Sequence, residues 1–207
     1  MAQIFHRSTN TVARVSIFGA VFFIGFVLCF IGGIVRAPYA TNQGVVREQP
    51  VPFSHQHHVA GLGIDCRYCH TSVETSNFAG IPPTSTCMNC HAQIWTNASM
   101  LAPVRQSYAS NTPLVWSRVH RLADFVHFNH SIHVNKGIGC VSCQAAPLTM
   151  EWCISCHRHP EENIRPRNQV FNMAWEAPDQ KTLGPQLVKQ YRVKDAMSLT
   201  SCDTCHY

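Results

Sequence analysis

From Val15 to Val35 the chain carries 21 residues without a formal charge, bounded by Arg14 and Arg36. As an α-helix, rising about 1.5 Å per residue, this run is long enough for a hydrocarbon core of about 30 Å. The apolar part of a cleaved signal peptide is shorter, about 7–15 residues, so the pattern predicts an uncleaved membrane anchor over residues 1–37. Gly25, Cys29 and Gly33 recur every four residues along it, as do Ser16 and Ala20. Such rows of small side chains let another helix approach closely. Residues 38–52 contain three prolines and little apolar patterning, and predict an extended linker.

Beyond residue 53 no long alternating run marks a strand. Pro185–Tyr191, following Gly184, suits a short helix with proline in its first turn. The expected fold class is therefore mainly α with much irregular structure, in one domain over 53–207 tethered to a single N-terminal transmembrane helix. Only 13% of residues are charged, and part of the 45% hydrophobic content lies in the anchor. That leaves modest apolar material for a core.

Cysteine spacing supplies what the hydropathy lacks. Cys66-Arg-Tyr-Cys69-His70, Cys87-Met-Asn-Cys90-His91, Cys153-Ile-Ser-Cys156-His157 and Cys202-Asp-Thr-Cys205-His206 are four copies of Cys-x-x-Cys-His, and Cys140-Val-Ser-Cys143 repeats the cysteines alone, followed by Gln144. Cys-x-x-Cys-His is the attachment signature of haem c: two thiols bond to the porphyrin and the histidine presents a ring nitrogen to the iron. Zinc is the rival, because 17 residues between Cys69 and Cys87 fit a four-cysteine ribbon. Five pairs do not divide into whole four-cysteine sites, however, and a ribbon has no need of the following histidine. Structural disulfides are the other rival, but a two-residue gap belongs more often to redox or metal chemistry. Five large macrocycles also replace much of a side-chain core. The formal charge of +5 omits two propionates per haem, so it does not indicate nucleic-acid binding.

The domain carries an internal repeat. Phe53-x-His55-x-x-His58 precedes Cys66 by seven residues, and Phe128-x-His130-x-x-His133 precedes Cys140 by six; each leads into two Cys-x-x-Cys motifs, giving units 53–91 and 128–157 and a C-terminal site at 202–206. Residues i and i+3 of a helix share a side but splay apart, so each histidine of a pair can reach a different iron. This predicts His55, His58, His130 and His133 as distal ligands, opposite the proximal His70, His91, His157 and His206, with His120 as the fifth. Such irons are six-coordinate. His6, His57, His127 and His159 are spare, and Met150, Met173 or Met197 could replace one distal histidine.

The third motif departs from its counterpart. Sixteen residues separate His70 from Cys87, whereas nine separate Cys143 from Cys153. The site has Gln144 or nothing as its protein ligand, or is a dead motif, or has lost a short segment that carried the histidine; the shortened gap favours the last.

These motifs, with Cys87-Met-Asn-Cys90-His91-Ala-Gln-Ile-Trp95, the stretch from Trp116 to Cys140, Pro147-Leu-Thr-Met-Glu-Trp-Cys153 and Leu199-Thr-Ser-Cys202, give the chain its family likeness. It resembles the pentahaem cytochrome c subunit of alternative complex III, a bacterial quinol:electron-acceptor oxidoreductase. The resemblance implies a complete third Cys-x-x-Cys-His, so that Cys143-Gln144 looks like a junction across missing residues. It also implies partners: an iron–sulfur subunit and integral-membrane quinol-oxidising subunits as the source of electrons, and a cytochrome c or terminal oxidase as acceptor. Covalent haem attachment normally occurs outside the cytoplasmic membrane, which places the haem domain on the periplasmic face of the bacterial inner membrane; the arginines flanking the anchor are balanced and decide nothing. The expected role is an electron-transfer subunit without a substrate of its own. The alternatives are a stand-alone membrane-anchored multihaem quinol dehydrogenase, and a multihaem reductase with one open haem.

Overall fold

The computed structural model describes residues 5–43, 45–120, 122–144 and 148–207. It divides into two units, residues 1–43 and 44–207.

In the first unit α1 runs Ser8–Arg36 and buries none of its residues. It begins almost two turns before the uncharged run, because Arg14 and the polar residues ahead of it continue the same helical backbone. Its mean hydropathy and length suit a membrane crossing. The chain then turns through an extended Ala37 into α2, Pro38–Thr41, where proline occupies the first turn and Asn42 ends it in the left-handed region at φ 54°. The start of the expected linker is thus one helical turn rather than extended chain.

In the second unit the helices are short. A π-helical turn, Gln56–Gly61, is followed by α3 (Cys66–Cys69), α4 (Thr84–His91), α5 (Ala102–Ser110), α6 (His130–Asn135), α7 (Val141–Gln144), α8 (Met150–Arg158), α9 (Gln180–Gln190) and α10 (Ala196–Leu199). Among the described residues β structure is confined to one antiparallel bridge, Ile138 to Ile164.

Among the described residues three small apolar clusters stand in place of a single core. Val51, Leu101 and Val104 pack with Cys87 and Trp116; Val73, Val134 and Val170 pack with Cys140 and Phe171; Ile164, Leu187 and Tyr191 pack with Leu183 and Val188. Meanwhile Phe53, Tyr68, Ile81, Ile94, Trp95 and Phe128, all close to the cysteine motifs in sequence, remain exposed. So thin a core is what a chain built around large flat cofactors would show.

Helix α9 corrects one expectation. It starts five residues before Pro185, because Asp179 caps it by accepting a hydrogen bond from the Thr182 N–H. Pro185 therefore lies inside the helix. Gly184, expected to precede the helix, is buried within it: a Cβ there would collide with the Glu161 carbonyl. Gln180 reaches across the same contact, its amide donating to the carbonyls of Glu161 at 2.6 Å and Ile164 at 2.8 Å.

Candidate haem sites

Each histidine pair is set by its local backbone. In the first, the Ser54 hydroxyl accepts from the His57 N–H, and the turn then widens to π geometry, with Leu62 N–H bonding the His57 carbonyl. Single π turns concentrate at functional sites. In the second, the Asn129 side chain caps α6 by accepting from Ile132 N–H. The two pairs nevertheless present nearly the same arrangement. Phe53 meets His55 edge-on at 4.9 Å and stacks on His58 at 4.4 Å; Phe128 meets His130 edge-on at 4.8 Å and stacks on His133 at 4.4 Å.

Across from them stand the histidines of the cysteine motifs. Ring centres are 6.3 Å apart for His55 and His70, 6.2 Å for His58 and His91, and 6.0 Å for His133 and His157. Two imidazoles bound end-on to one metal, through bonds of about 2 Å, hold their ring centres roughly 6 Å apart. The first histidine of the Phe53 segment faces the first motif and the second faces the second motif. In the other segment His133 likewise faces the later motif, and His130 faces no histidine ring among the described residues. Its counterpart by position is the third motif, where Ala145 to Pro147, just after the expected junction at Cys143-Gln144, lie outside the described residues.

The tautomers follow from hydrogen bonding. Nδ1–H donates to a backbone carbonyl in His58 (Ser54, 2.9 Å), His70 (Gly80, 2.6 Å), His91 (Ile94, 3.1 Å), His130 (Asn77, 2.7 Å), His133 (Asn129, 2.7 Å), His157 (Leu199, 3.0 Å) and His206 (Phe125, 3.1 Å). A carbonyl only accepts, so the proton sits on Nδ1 and the Nε2 lone pair is free for a metal. Burial lowers the pKa of His55 and His133, with the facing His70 and His157 acting in the same direction. Neutral imidazole is the ligating form.

Two histidines behave otherwise. No histidine ring faces His206 among the described residues, and His120 takes part in no ring pairing there. The fifth motif is instead bordered by the Phe125 ring, 5.6 Å from His206, and by His127, whose N–H donates to the Cys205 carbonyl and whose ring stacks on Tyr207 at 4.4 Å. Spacing alone marks His127 as spare, and only the close approach of residues 125–127 to the chain's last residues gives it this place. His57 turns toward Trp95, at 6.2 Å.

None of the cysteines forms a disulfide, and among the described residues no three His, Cys, Asp or Glu side chains converge as a zinc ribbon requires. The thiols are neighbours between motifs instead. The Cys66 thiol donates to the Phe171 carbonyl at 3.8 Å, and Cys140 lies close enough to lower the pKa of Cys66, while the Cys66 thiol and burial raise that of Cys140. Cys69 lies within electrostatic reach of Cys87. Burial pushes Cys143 up to about 11, with Cys156 and Cys153 nearby, and pushes Cys156 to about 11 as well. Cys153 in turn has Cys205 as neighbour. The motifs thus adjoin in the order second, first, third, fourth, fifth.

Asp65 sets the first motif's backbone. Its carboxylate caps α3 by accepting from Arg67 N–H at 2.8 Å and pairs with the Arg67 guanidinium at 2.7 Å, which holds its pKa at about 2. Its contribution is therefore complete above the ordinary carboxylate range near pH 4 and is lost as pH falls toward 2. Asp65→Ala is expected to cost about 1 kcal/mol at pH 7, a typical cap loss. Thermal melts at pH 7 and pH 2 check this: the difference between variant and wild type should be smaller at the lower pH, where the folded carboxylate is half protonated.

No family model matches the chain. Over 188 residues, 90% of this chain and 80% of the other, it is 28% identical to a protein of Nitratidesulfovibrio vulgaris described as the multihaem cytochrome c subunit of menaquinone reductase. The cysteine motifs and this likeness support one class, the multihaem c-type cytochromes with covalently attached haem c.

Proposed function

We propose that this chain is an electron-transfer subunit of a quinone-linked membrane complex, carrying five c-type haems. The observation that carries this reading is the set of three facing histidine pairs at 6.0–6.3 Å. A site closed on both sides by imidazole offers no position for a substrate. The cysteines of the five motifs bind the macrocycles, His70, His91, His157 and His206 are proximal ligands, and His55, His58 and His133 close the first, second and fourth sites. His130 is assigned to the third site and His120 to the fifth. Bound there, haem c supplies reversible one-electron exchange at its iron. The protein contributes fixed ring positions, neutral tautomers and motifs that adjoin in a single row ending at the second and fifth sites.

The matching geometry around Phe53 and Phe128 supports reading the two segments as copies of one unit. Helix α1 serves as a single-pass anchor in the bacterial cytoplasmic membrane, with the haem-bearing residues on the periplasmic side. Within the class we assign the chain to an alternative complex III type of assembly, with an iron–sulfur subunit and membrane quinol-oxidising subunits as partners and a cytochrome c or terminal oxidase downstream. The menaquinone reductase subunit similar to this chain favours menaquinone as the quinone and leaves the opposite direction of flow as the second reading.

Anaerobic addition of menaquinol to the isolated membrane complex is expected to produce the reduced haem bands, and the same addition to the purified chain alone is expected to leave them oxidised. Reduction of the isolated chain as fast as the complex would instead identify a stand-alone quinol dehydrogenase.

A further inference from the structure

Arg165 is a buried cation that no acid neutralises among the described residues. It is 7% exposed, and no ion pair there includes it. Its main-chain N–H donates to the Gly137 carbonyl at 2.8 Å beside the Ile138–Ile164 bridge, which lays its side chain against the approach to the third motif. A Cβ on Gly139 would collide with three atoms of the guanidinium group, so only glycine admits the group one residue before Cys140. The Trp175 ring lies 5.0 Å from the guanidinium carbon. One terminal nitrogen donates to the Asn172 carbonyl at 3.2 Å, and the buried Nε has no hydrogen-bond partner among the described residues. A guanidinium stays protonated even where burial opposes its charge.

We propose that Arg165 tunes the redox site anchored at Cys140, raising its reduction potential and, through the Cys66–Cys140 contact, that of the first site. The inference rests on the haem reading of the third motif. Accepting one electron makes a haem site one unit less positive, and a fixed cation in a poorly screened environment favours that state. Arginine suits the place because it remains charged when enclosed, and its flat group packs between a glycine backbone and an indole. The charge sits in the middle of the row of motifs, where the second and first sites meet the third, fourth and fifth.

The test is a redox titration of the full chain followed by electron paramagnetic resonance, with haem content measured by intact mass. Arg165→Gln should shift one or two midpoint potentials downward and leave the others in place, while Arg165→Lys, which keeps the charge, should stay near wild type. Arg165→Met, which removes the charge but keeps a long side chain suited to an apolar site, should lower the same midpoints, and it decides the matter if Arg165→Gln does not accumulate. Five haems with unmoved midpoints in Arg165→Gln or Arg165→Met, or an equal fall in Arg165→Lys and Arg165→Gln, would overturn the assignment. Four haems on the wild-type chain would instead remove the haem reading of the third motif and this inference with it.

Discussion

His133→Ala protein is expected to show one fewer low-spin haem and one new high-spin haem, with the haem still covalently attached. The His133 ring stands 6.0 Å from His157, and its Nδ1–H is held by the Asn129 carbonyl, so Nε2 is the nitrogen left to bind a metal that the two rings would share. Truncation to Ala removes that nitrogen and would leave one face of a haem iron held there open, while Cys153, Cys156 and His157 remain. His58→Ala should do the same at the His91 site and His55→Ala at the His70 site, since each faces that motif's histidine. His130→Ala must then act on a different haem from His133→Ala. Electron paramagnetic resonance and optical spectra of the oxidised proteins check this: unchanged spin states in both would refute the assignment of each segment to two irons. The loss of a Phe128 stacking partner also loosens α6, so a matching His133→Gln variant, which keeps much of the volume, should give the same spectral change with less effect on stability.

The third motif carries the other large change. Intact-mass spectrometry of the purified native chain is expected to show five haems, and Cys140→Ser combined with Cys143→Ser should remove one of them. Cys140 occupies a built position: it packs with Val73, Val134 and Val170, and its thiol meets Cys66 of the first motif. A dead motif has no reason to hold its thiols among those of working ones. His130 also keeps its Nδ1–H on the Asn77 carbonyl, as a ligand would, although no histidine faces it among the described residues. Peptide mapping across Cys143 to Leu148 tests the missing segment at the same time, because extra residues there would carry the absent histidine. A mass equal to four haems on a chain of the present sequence would defeat the five-haem reading.

Much of this site is legible in the chain itself. The Cys-x-x-Cys-His motifs are local chemistry, complete within five residues, and the i, i+3 histidines are local geometry, so both can be read from spacing. Helix α9 is only partly legible, because proline usually opens a helix, whereas here the Asp179 cap starts it earlier. His120 rests on counting alone: among the described residues it stands in no ring pairing, and Phe125, His127 and Tyr207 gather at the fifth motif.

Residue identity and short spacings are enough to set the chemistry and the anchor: which thiols and imidazoles are present, how many attachment motifs exist, and that one apolar run can cross a membrane. Each of these depends on side-chain type and on separations of a few residues. Long-range packing alone sets which histidine faces which, the order in which the five motifs adjoin, and the burial of Arg165 against Gly139. Those contacts join residues tens of positions apart, such as Cys66 with Cys140 or His157 with the Leu199 carbonyl, through loops that carry no period. Nothing in local propensity encodes such distances; they follow from how short helices and three small clusters close around one another.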